Sequence, residues 1–148
     1  MTAVLAVLLA ASLPRFQGTA ERLHTEQRAF EMAQLIRYAR ERAIAQVLPV
    51  RWRWNAQERR VSVEVFGDDG QWTRLEERTA RSAQLASYMA LSVSDLEGDP
   101  VDCECVQFAP DGTTTPTIVE LRRDGQAFTV TVDGATGQPT LAAGTAAR

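Results

Sequence analysis

The chain has 148 residues, of which 45% are hydrophobic and 24% are charged, and its formal net charge is −3. This length fits one domain of ordinary size with an extension, and the composition is that of a folded chain, which excludes disorder over the whole length. The sequence pI of about 5.2 excludes a strongly basic surface, so the overall charge gives no reason to expect a nucleic-acid partner.

The first feature along the chain is an apolar run, Ala3–Leu13, in which Ser12 is the only polar residue. The run has 11 residues, whereas a membrane-spanning helix needs roughly 20. Three interpretations are open: a membrane segment that began upstream of Met1, the core of a signal peptide, or a buried helix end. We favour the first, because no positive charge precedes the run and the helical pattern continues past it. Residues 1–18 then form the apolar half of an N-terminal helix and a truncated membrane anchor.

A long helix is predicted from Thr2 to about residue 48, where Pro49 ends it. Pro14 is expected to kink this helix, and Gly18 adds a soft point. Apolar residues recur at helical spacing along its second half: Leu23, Ala29, Phe30, Met32, Ile36, Ala39 and Ala43. We expect the stripe through Phe30, Met32, Ile36 and Ala39 to pack on a sheet.

After Pro49 the hydrophobic period changes from helical to alternating. In residues 50–54 the pattern places Val50 and both tryptophans on one face and Arg51 and Arg53 on the other. Further short strands, separated by turn signals, are predicted around residues 61–65, 72–75, 91–93, 106–108, 119–121, 128–132 and 139–141. This pattern predicts an antiparallel sandwich or meander within a globular domain of residues 19–141. Residues 78–88 stay unassigned, and residues 142–148 are expected to form a flexible tail.

This order of parts resembles the type IV pilin-like fold, an α+β fold in which a long N-terminal helix packs on an antiparallel β-sheet or sandwich. Residues 13–16 resemble the point where the membrane half of a pilin helix gives way to its globular half. Residues 35–44, which include the run Ala39–Ile44, resemble the helix end of the GspH/FimT-type pseudopilins. Residues 106–113 resemble the hairpin of that family, and residues 128–132 ahead of Gly137 resemble its closing strands. The hairpin motif consists of Phe108, Pro110, Asp111 and Gly112.

The resemblance implies a structural minor pseudopilin of a type II secretion pseudopilus or of a related type IV pilus machine. Its expected partners are other pseudopilins in a filament, the inner membrane and, indirectly, an assembly platform and an ATPase. One N-terminal helix would hold the chain in the bacterial inner membrane, with the globular domain in the periplasm. The helix residues expected to enter the membrane and the filament are Val4, Leu5, Val7, Leu8, Leu9, Leu13 and Phe16.

The chain departs from the family pattern at its start. The basic leader of pilin-like precursors, the Gly-Phe cleavage point and the Glu that follows it are not found in these 148 residues. An alternative function within the same resemblance is a FimT-like minor pilin that binds DNA during uptake. A third class, a secreted enzyme freed from a signal peptide, would follow if mature protein began at or after Ser12.

Two short motifs invite a chemical interpretation. Cys103 and Cys105 flank Glu104, and a strand would place both thiols on the same side. A disulfide, two free thiols and a metal site are all open, although a metal would need further ligands. Arg51–Trp54 interleaves arginine with tryptophan, as nucleic-acid platforms do, but the alternation favours buried tryptophans and solvated arginines.

No catalytic, cofactor-binding or metal-binding residue is predicted. His24, the only histidine, lies in a charged part of the helix, and we expect it to be a surface residue. The pairs Asp68-Asp69 and Asp95/Glu97 fit acidic turns better than paired catalytic carboxylates or a calcium loop. Since the sequence has no phosphate-binding loop, another protein must power any assembly.

Overall fold

The structure is a computed structural model that describes the backbone of residues 2–80 and 82–145 and the side chains of residues 18–80 and 82–144. Within these residues, one long helix is followed by nine strands, with a 3₁₀ turn at Arg78–Ala80. The elements are α1 (Thr2–Gln46), β1 (Val50–Asn55), β2 (Arg60–Phe66), β3 (Trp72–Arg74), β4 (Ala83–Gln84), β5 (Ala90–Ser94), β6 (Cys105–Phe108), β7 (Thr117–Arg123), β8 (Gln126–Val132) and β9 (Pro139–Thr145).

The strands form two antiparallel sheets. The first sheet has the order β3-β2-β1-β6, with β4 paired to β2, and the second has the order β5-β7-β8-β9. Trp52 at the centre of β1 lies opposite Val63 of β2 and Val106 of β6, so these three side chains share one face. That face is buried against α1, which also contacts β7, β8 and β9 of the second sheet. The architecture confirms the predicted α+β fold of a helix on antiparallel sheets.

The alternation predicted for residues 50–54 is confirmed, because Val50, Trp52 and Trp54 are buried while Arg51 and Arg53 are partly exposed. Predicted strands are also found at each of the other positions. The segment left unassigned, residues 78–88, contains the 3₁₀ turn and the two-residue strand β4.

The helix packs on the sheets through a face rich in small residues. Ala29, Ala39 and Ala43 are fully buried, and Met32 and Ile36 lie between them. Small side chains let the helix backbone approach the sheets closely, while Ile36 fills the remaining space. The helix ends at Gln46 because Val47 takes a left-handed conformation (φ 55°) and the Leu48 N–H donates to the Ala43 carbonyl at 3.3 Å.

Two residues of the apolar pattern of α1 are exposed, and one of them, Phe30, was expected to pack on the sheet. Leu23 is 60% exposed and Phe30 is 54% exposed. The buried face runs through Thr25, Ala29 and Met32, and at about 100° per residue Leu23 and Phe30 point away from it. The prediction that Phe30 packs on the sheet is therefore wrong.

The end of the chain also differs from the prediction. Strand β9 runs to Thr145, where the sequence suggested a flexible tail from residue 142. Ala142, Ala143 and Gly144 pair in register with Thr129, Phe128 and Ala127 of β8. Pairing along the whole of β8 outweighs the low strand propensity of these small residues. Residues 146–148 of the expected tail lie outside the described residues.

Candidate functional site at the helix end

The residues that carry the family resemblance meet at the C-terminal end of α1. The turn after β6 (residues 109–113) and the turn after β8 (residues 133–137) both lie against this end of the helix. We call the five residues that make the contact the helix-end cluster: Arg40, Ile44, Gly112, Thr136 and Gly137.

Each turn is held by an aspartate within it. Asp111 Oδ1 accepts hydrogen bonds from the Thr113 hydroxyl at 2.7 Å and from the Thr113 N–H at 3.0 Å. Asp133 Oδ1 accepts from the Thr136 N–H and the Thr136 hydroxyl, both at 2.8 Å. These donors favour the charged carboxylate. The pKa of Asp111 is lowered first by the hydroxyl and then by the N–H, and the pKa of Asp133 first by the N–H and then by the hydroxyl.

The two glycines of the cluster have no space for a side chain. Gly112 and Gly137 both have left-handed backbones, with φ of 85° and 67°. A Cβ at Gly112 would lie 2.7 Å from Cδ1 of Ile44. A Cβ at Gly137 would overlap the Gly112 carbonyl oxygen and lie 2.9 Å from Cδ of Arg40. Both positions therefore need glycine for the conformation and for the close approach.

Arg40 joins the helix to the second turn. Its Nε donates to the Thr136 carbonyl at 2.5 Å, across 96 positions of sequence. The turns are also joined to each other, because the Thr114 N–H donates to the Gly134 carbonyl at 2.9 Å. Since one turn follows β6 of the first sheet and the other joins β8 to β9 of the second, the helix-end cluster fixes both sheets to the helix.

The sequence identified most of this cluster but not all of it. The structure brings the motif around Ala39–Ile44 together with the hairpin residues Asp111 and Gly112 and with Gly137. In the sequence, Asp133 and Thr136 indicate only a turn between the strands predicted at residues 128–132 and 139–141. The sequence does contain a signal for this turn. Asp133–Gly137, like Asp111–Thr113, has an aspartate that is followed within a few residues by a threonine and a glycine.

Cys103 and Cys105 form a disulfide in the structure, with their Cα atoms 5.1 Å apart. Among the described residues, no group of three or more His, Cys, Asp or Glu side chains is arranged to hold a metal ion. His24 is exposed on the helix. Asp95 Oδ1 accepts from the N–H groups of Glu97 and Asp99, at 3.0 and 2.8 Å, as turn-forming aspartates do.

The interleaved arginines and tryptophans do not form a stacking platform. Trp52 is fully buried and Trp54 is nearly so. On the opposite face of β1, Arg51 is bound by Glu64, with Nη2 and Oε2 2.6 Å apart, and its guanidinium lies 4.2 Å from the centre of the Trp72 ring. The tryptophans predicted to be buried are thus unavailable to bases.

The N-terminal part of α1 projects from the head. Side chains 18–24 are exposed, and Thr25 is the first buried residue among the side chains described. Within this segment Glu21 contacts the β7–β8 end of the head, since its Oε2 lies 3.1 Å from Nη2 of Arg123. The backbone is helical from Thr2 and unbroken through Pro14. The side chains of the apolar residues Val4 to Phe16 lie outside the described residues. Within the described part of the chain, no helix combines the length and the apolar character that crossing a bilayer requires.

Residues 28–137 match the family model described as "Type II transport protein GspH". The chain belongs to the GspH family. The matched region begins beside the first buried residues of α1 and ends at Gly137, so it contains the whole helix-end cluster. Membership confirms the predicted pseudopilin role in type II secretion or in a related type IV pilus machinery. No curated protein matches the sequence.

Solved structures of similar fold come from the same kinds of machine. The minor pseudopilin EpsH of the Vibrio cholerae type 2 secretion system is 17% identical, with a TM-score of 0.63 over 82% of this chain and 96% of that one. The type IV minor pilin FimU of Pseudomonas aeruginosa is 16% identical, with a TM-score of 0.61 over 84% of this chain and 92% of that one. At these identities the likeness shows the fold.

Proposed function

We propose that this GspH-family chain is a structural subunit that joins other pseudopilins in a filament and performs no catalysis. The observation that carries the proposal is the helix, which is 45 residues long although Thr25 is the first buried residue among its described side chains. The head still contacts the helix as far back as Glu21, whose Oε2 lies 3.1 Å from Nη2 of Arg123. At about 1.5 Å per residue, residues 2–17 extend the helix by roughly 24 Å beyond the described side chains. We infer that this extension serves assembly.

In this proposal the projecting part of α1 lies first in the membrane and then in the filament. Before assembly, residues 2–18 sit in the inner membrane and hold the head in the periplasm. A helix is stable in the membrane because its backbone hydrogen bonds are all made within the helix. During assembly the same apolar surface leaves the lipid and packs on the helices of neighbouring pseudopilins, driven by a platform and an ATPase.

The filament contact continues outside the membrane along one line of the helix. Leu23 and Phe30, which we call the outward stripe, are exposed seven residues apart. In sequence the same spacing leads back to Phe16 and Leu9. A spacing of seven keeps residues on one face of a helix that packs along another helix. Burying one Leu or Phe side chain contributes about 1.5–3 kcal/mol, so the outward stripe adds appreciably to a helix–helix contact.

The helix-end cluster connects the helix, which makes the filament contact, to both sheets of the head. Arg40 and Gly137 hold the β8–β9 turn to the helix, and Gly112 holds the other sheet. A force or rotation applied to the helix in a filament is therefore passed to the whole head. The head of each subunit then takes a fixed orientation on the filament surface.

The experiment is co-expression of the chain with the other pseudopilins of the same organism, followed by shearing and purification of filaments. We expect the chain in the filament fraction, and we expect the double variant Leu23→Glu/Phe30→Glu to be lost from it while its head stays folded. His24→Glu is the control, because it adds one negative charge next to Leu23 but about 100° around the helix. Retention of the double variant in filaments, or an equal loss of the control, would reject the proposed contact.

A further inference from the structure

The disulfide lies where the chain crosses from the second sheet to the first. Residues 95–104 leave β5, and Cys105 is the first residue of β6, the outer strand of the first sheet. The chain contains only these two cysteines. Nothing in the filament role described above uses them.

We propose that the Cys103–Cys105 disulfide is a site of thiol–disulfide exchange, selective for neutral or cationic thiols, and that the head stays folded without it. A thiolate attacks Sγ of Cys103, the bond between the two sulfurs breaks, and its electron pair passes to Sγ of Cys105, which takes a proton from water. The second thiol of a dithiol reductant then attacks the mixed disulfide, releases Cys103 as a thiolate and leaves as an oxidised dithiol. The proposal does not depend on the filament role.

Access to the two sulfurs is unequal. Cys103 is exposed, whereas Cys105 is only 5% exposed. Both line a groove of about 610 Å³ beside β6, together with Val101, Gln107 and Thr115. The groove has room for an incoming thiol, and the burial of Cys105 directs the attack to Cys103.

The fold around the disulfide does not rely on it. The closed loop contains three residues, and the effect of a cross-link on the unfolded chain grows with loop length, so this bridge restricts the unfolded chain little. Strand β6 is held separately, since Val106 and Phe108 lie in register with Trp52 and Val50 of β1.

The backbone between the cysteines favours opening. Glu104 has φ of 45°, a left-handed conformation that is unfavourable for a residue with a side chain. Its carbonyl accepts from the Trp54 N–H at 3.0 Å and its N–H donates to the Val101 carbonyl at 3.2 Å. Once the disulfide is open, residue 104 is free to exchange this conformation for a common one.

The charge around the disulfide determines which incoming thiols react with it. Asp102 and Glu104 each adjoin a cysteine, and the same loop carries three more carboxylates at Asp95, Glu97 and Asp99. Arg53 lies opposite Cys105 in register, but its guanidinium is 3.8 Å from the Glu64 carboxylate, so the balance of charge beside the disulfide is negative. This concentration of negative charge repels an anionic thiolate reagent within a Debye length and repels a neutral one less. A protein dithiol that uses the site would therefore have a neutral or basic surface around its reactive thiol.

The experiment treats the full-length protein in detergent with two small thiols, neutral 2-mercaptoethanol and anionic 2-mercaptoethanesulfonate, at equal thiolate concentrations. Alkylation followed by mass spectrometry counts the thiols and locates the mixed disulfide. We expect reduction without denaturant, the first adduct on Cys103, and a melting temperature lowered by no more than about 5 °C. At low salt the neutral thiol should react at least about threefold faster, and this ratio should fall towards one in 1 M salt or in the variant Asp102→Asn/Glu104→Gln.

Several outcomes would overturn the proposal. One is a disulfide that resists both thiols until denaturant unfolds the head. Another is a head that unfolds when the disulfide is reduced, which would make the bridge structural. A first adduct on Cys105, or equal rates for the two thiols at low salt, would contradict the assigned point of attack and the charge selection.

Discussion

The two faces of α1 hold their large apolar residues in different surroundings. On the face that the head covers from Thr25 onward, Met32 and Ile36 point inward between buried alanines. On the opposite face, the outward stripe leaves Leu23 and Phe30 in solvent. A single helix therefore has one face made for its own head and another that the head does not use. The difference separates stability from assembly, and the two should be separable by substitution.

The largest expected effect comes from truncating one large apolar residue on each face. Ile36 is fully buried, so Ile36→Ala removes contacts and leaves a cavity, and we expect the free energy of unfolding to fall by about 2–5 kcal/mol. Leu23→Ala should change it by less than about 0.5 kcal/mol. Urea unfolding followed by tryptophan fluorescence measures both. Similar losses for the two variants would mean that the outward stripe belongs to the core of the head.

The next effect tests how tightly the head holds the covered part. Gly137→Ala places a Cβ against the Gly112 carbonyl, and we expect a loss of about 3 kcal/mol. Gly125→Ala is the control, because Gly125 also has a left-handed backbone (φ 78°) but no atom within 4 Å of its would-be Cβ. The control should lose about 1 kcal/mol. Equal losses in thermal unfolding would show that conformation alone, and not close approach, requires glycine at residue 137.

A smaller effect is expected from the hydrogen bond that links the helix to the β8–β9 turn. Arg40→Met keeps most of the side-chain stem and removes the donor to the Thr136 carbonyl, so stability should fall by about 1–2 kcal/mol. Arg37→Met, on the exposed side of the same helix turn, should be nearly neutral. Hydrogen exchange of residues 133–137 should speed up only in the Arg40 variant, and unchanged exchange there would contradict the role of Arg40.

The smallest effect is a dependence on pH. The pKa values of Asp111 and Asp133 are lower in the folded chain than in the unfolded one, because threonine donors stabilise both carboxylates. Their contribution is therefore fully present above about pH 4, the ordinary range of an aspartate, and it is lost as pH falls through the lowered folded values. The slope of stability between pH 5 and pH 2 should be shallower in Asp111→Asn/Asp133→Asn. An unchanged slope would show that these turns do not depend on charge.

The sequence predicted the parts of this fold that depend on local pattern. Alternation in β1 placed Trp52 and Trp54 in the core, because cross-strand packing follows the two-residue period of the strand. The turn residues Asp111 and Gly112 were also recognisable from local sequence, because Pro-Asp-Gly is a combination that favours turns.

The sequence could not predict features that depend on distant contacts. Phe30 is as apolar as any core residue, and its exposure follows from its place on the face of the helix that points away from the sheets. The contact between Arg40 and Thr136 joins segments 96 positions apart, and no spacing rule in either segment indicates the other. The length of β9 was set by its partner β8 and not by its own small residues.

The most direct test of the account is a cross-link at the outward stripe. In a chain with Cys103→Ser and Cys105→Ser, Leu23→Cys and His24→Cys place single thiols on adjacent residues that point about 100° apart. After the single thiol is labelled with benzophenone maleimide, the chain is assembled with the other pseudopilins and irradiated, we expect an intersubunit cross-link for Leu23→Cys and little or none for His24→Cys. Equal cross-linking at both positions, or none at Leu23→Cys in assembled filaments, would contradict the assignment of this face to the filament contact.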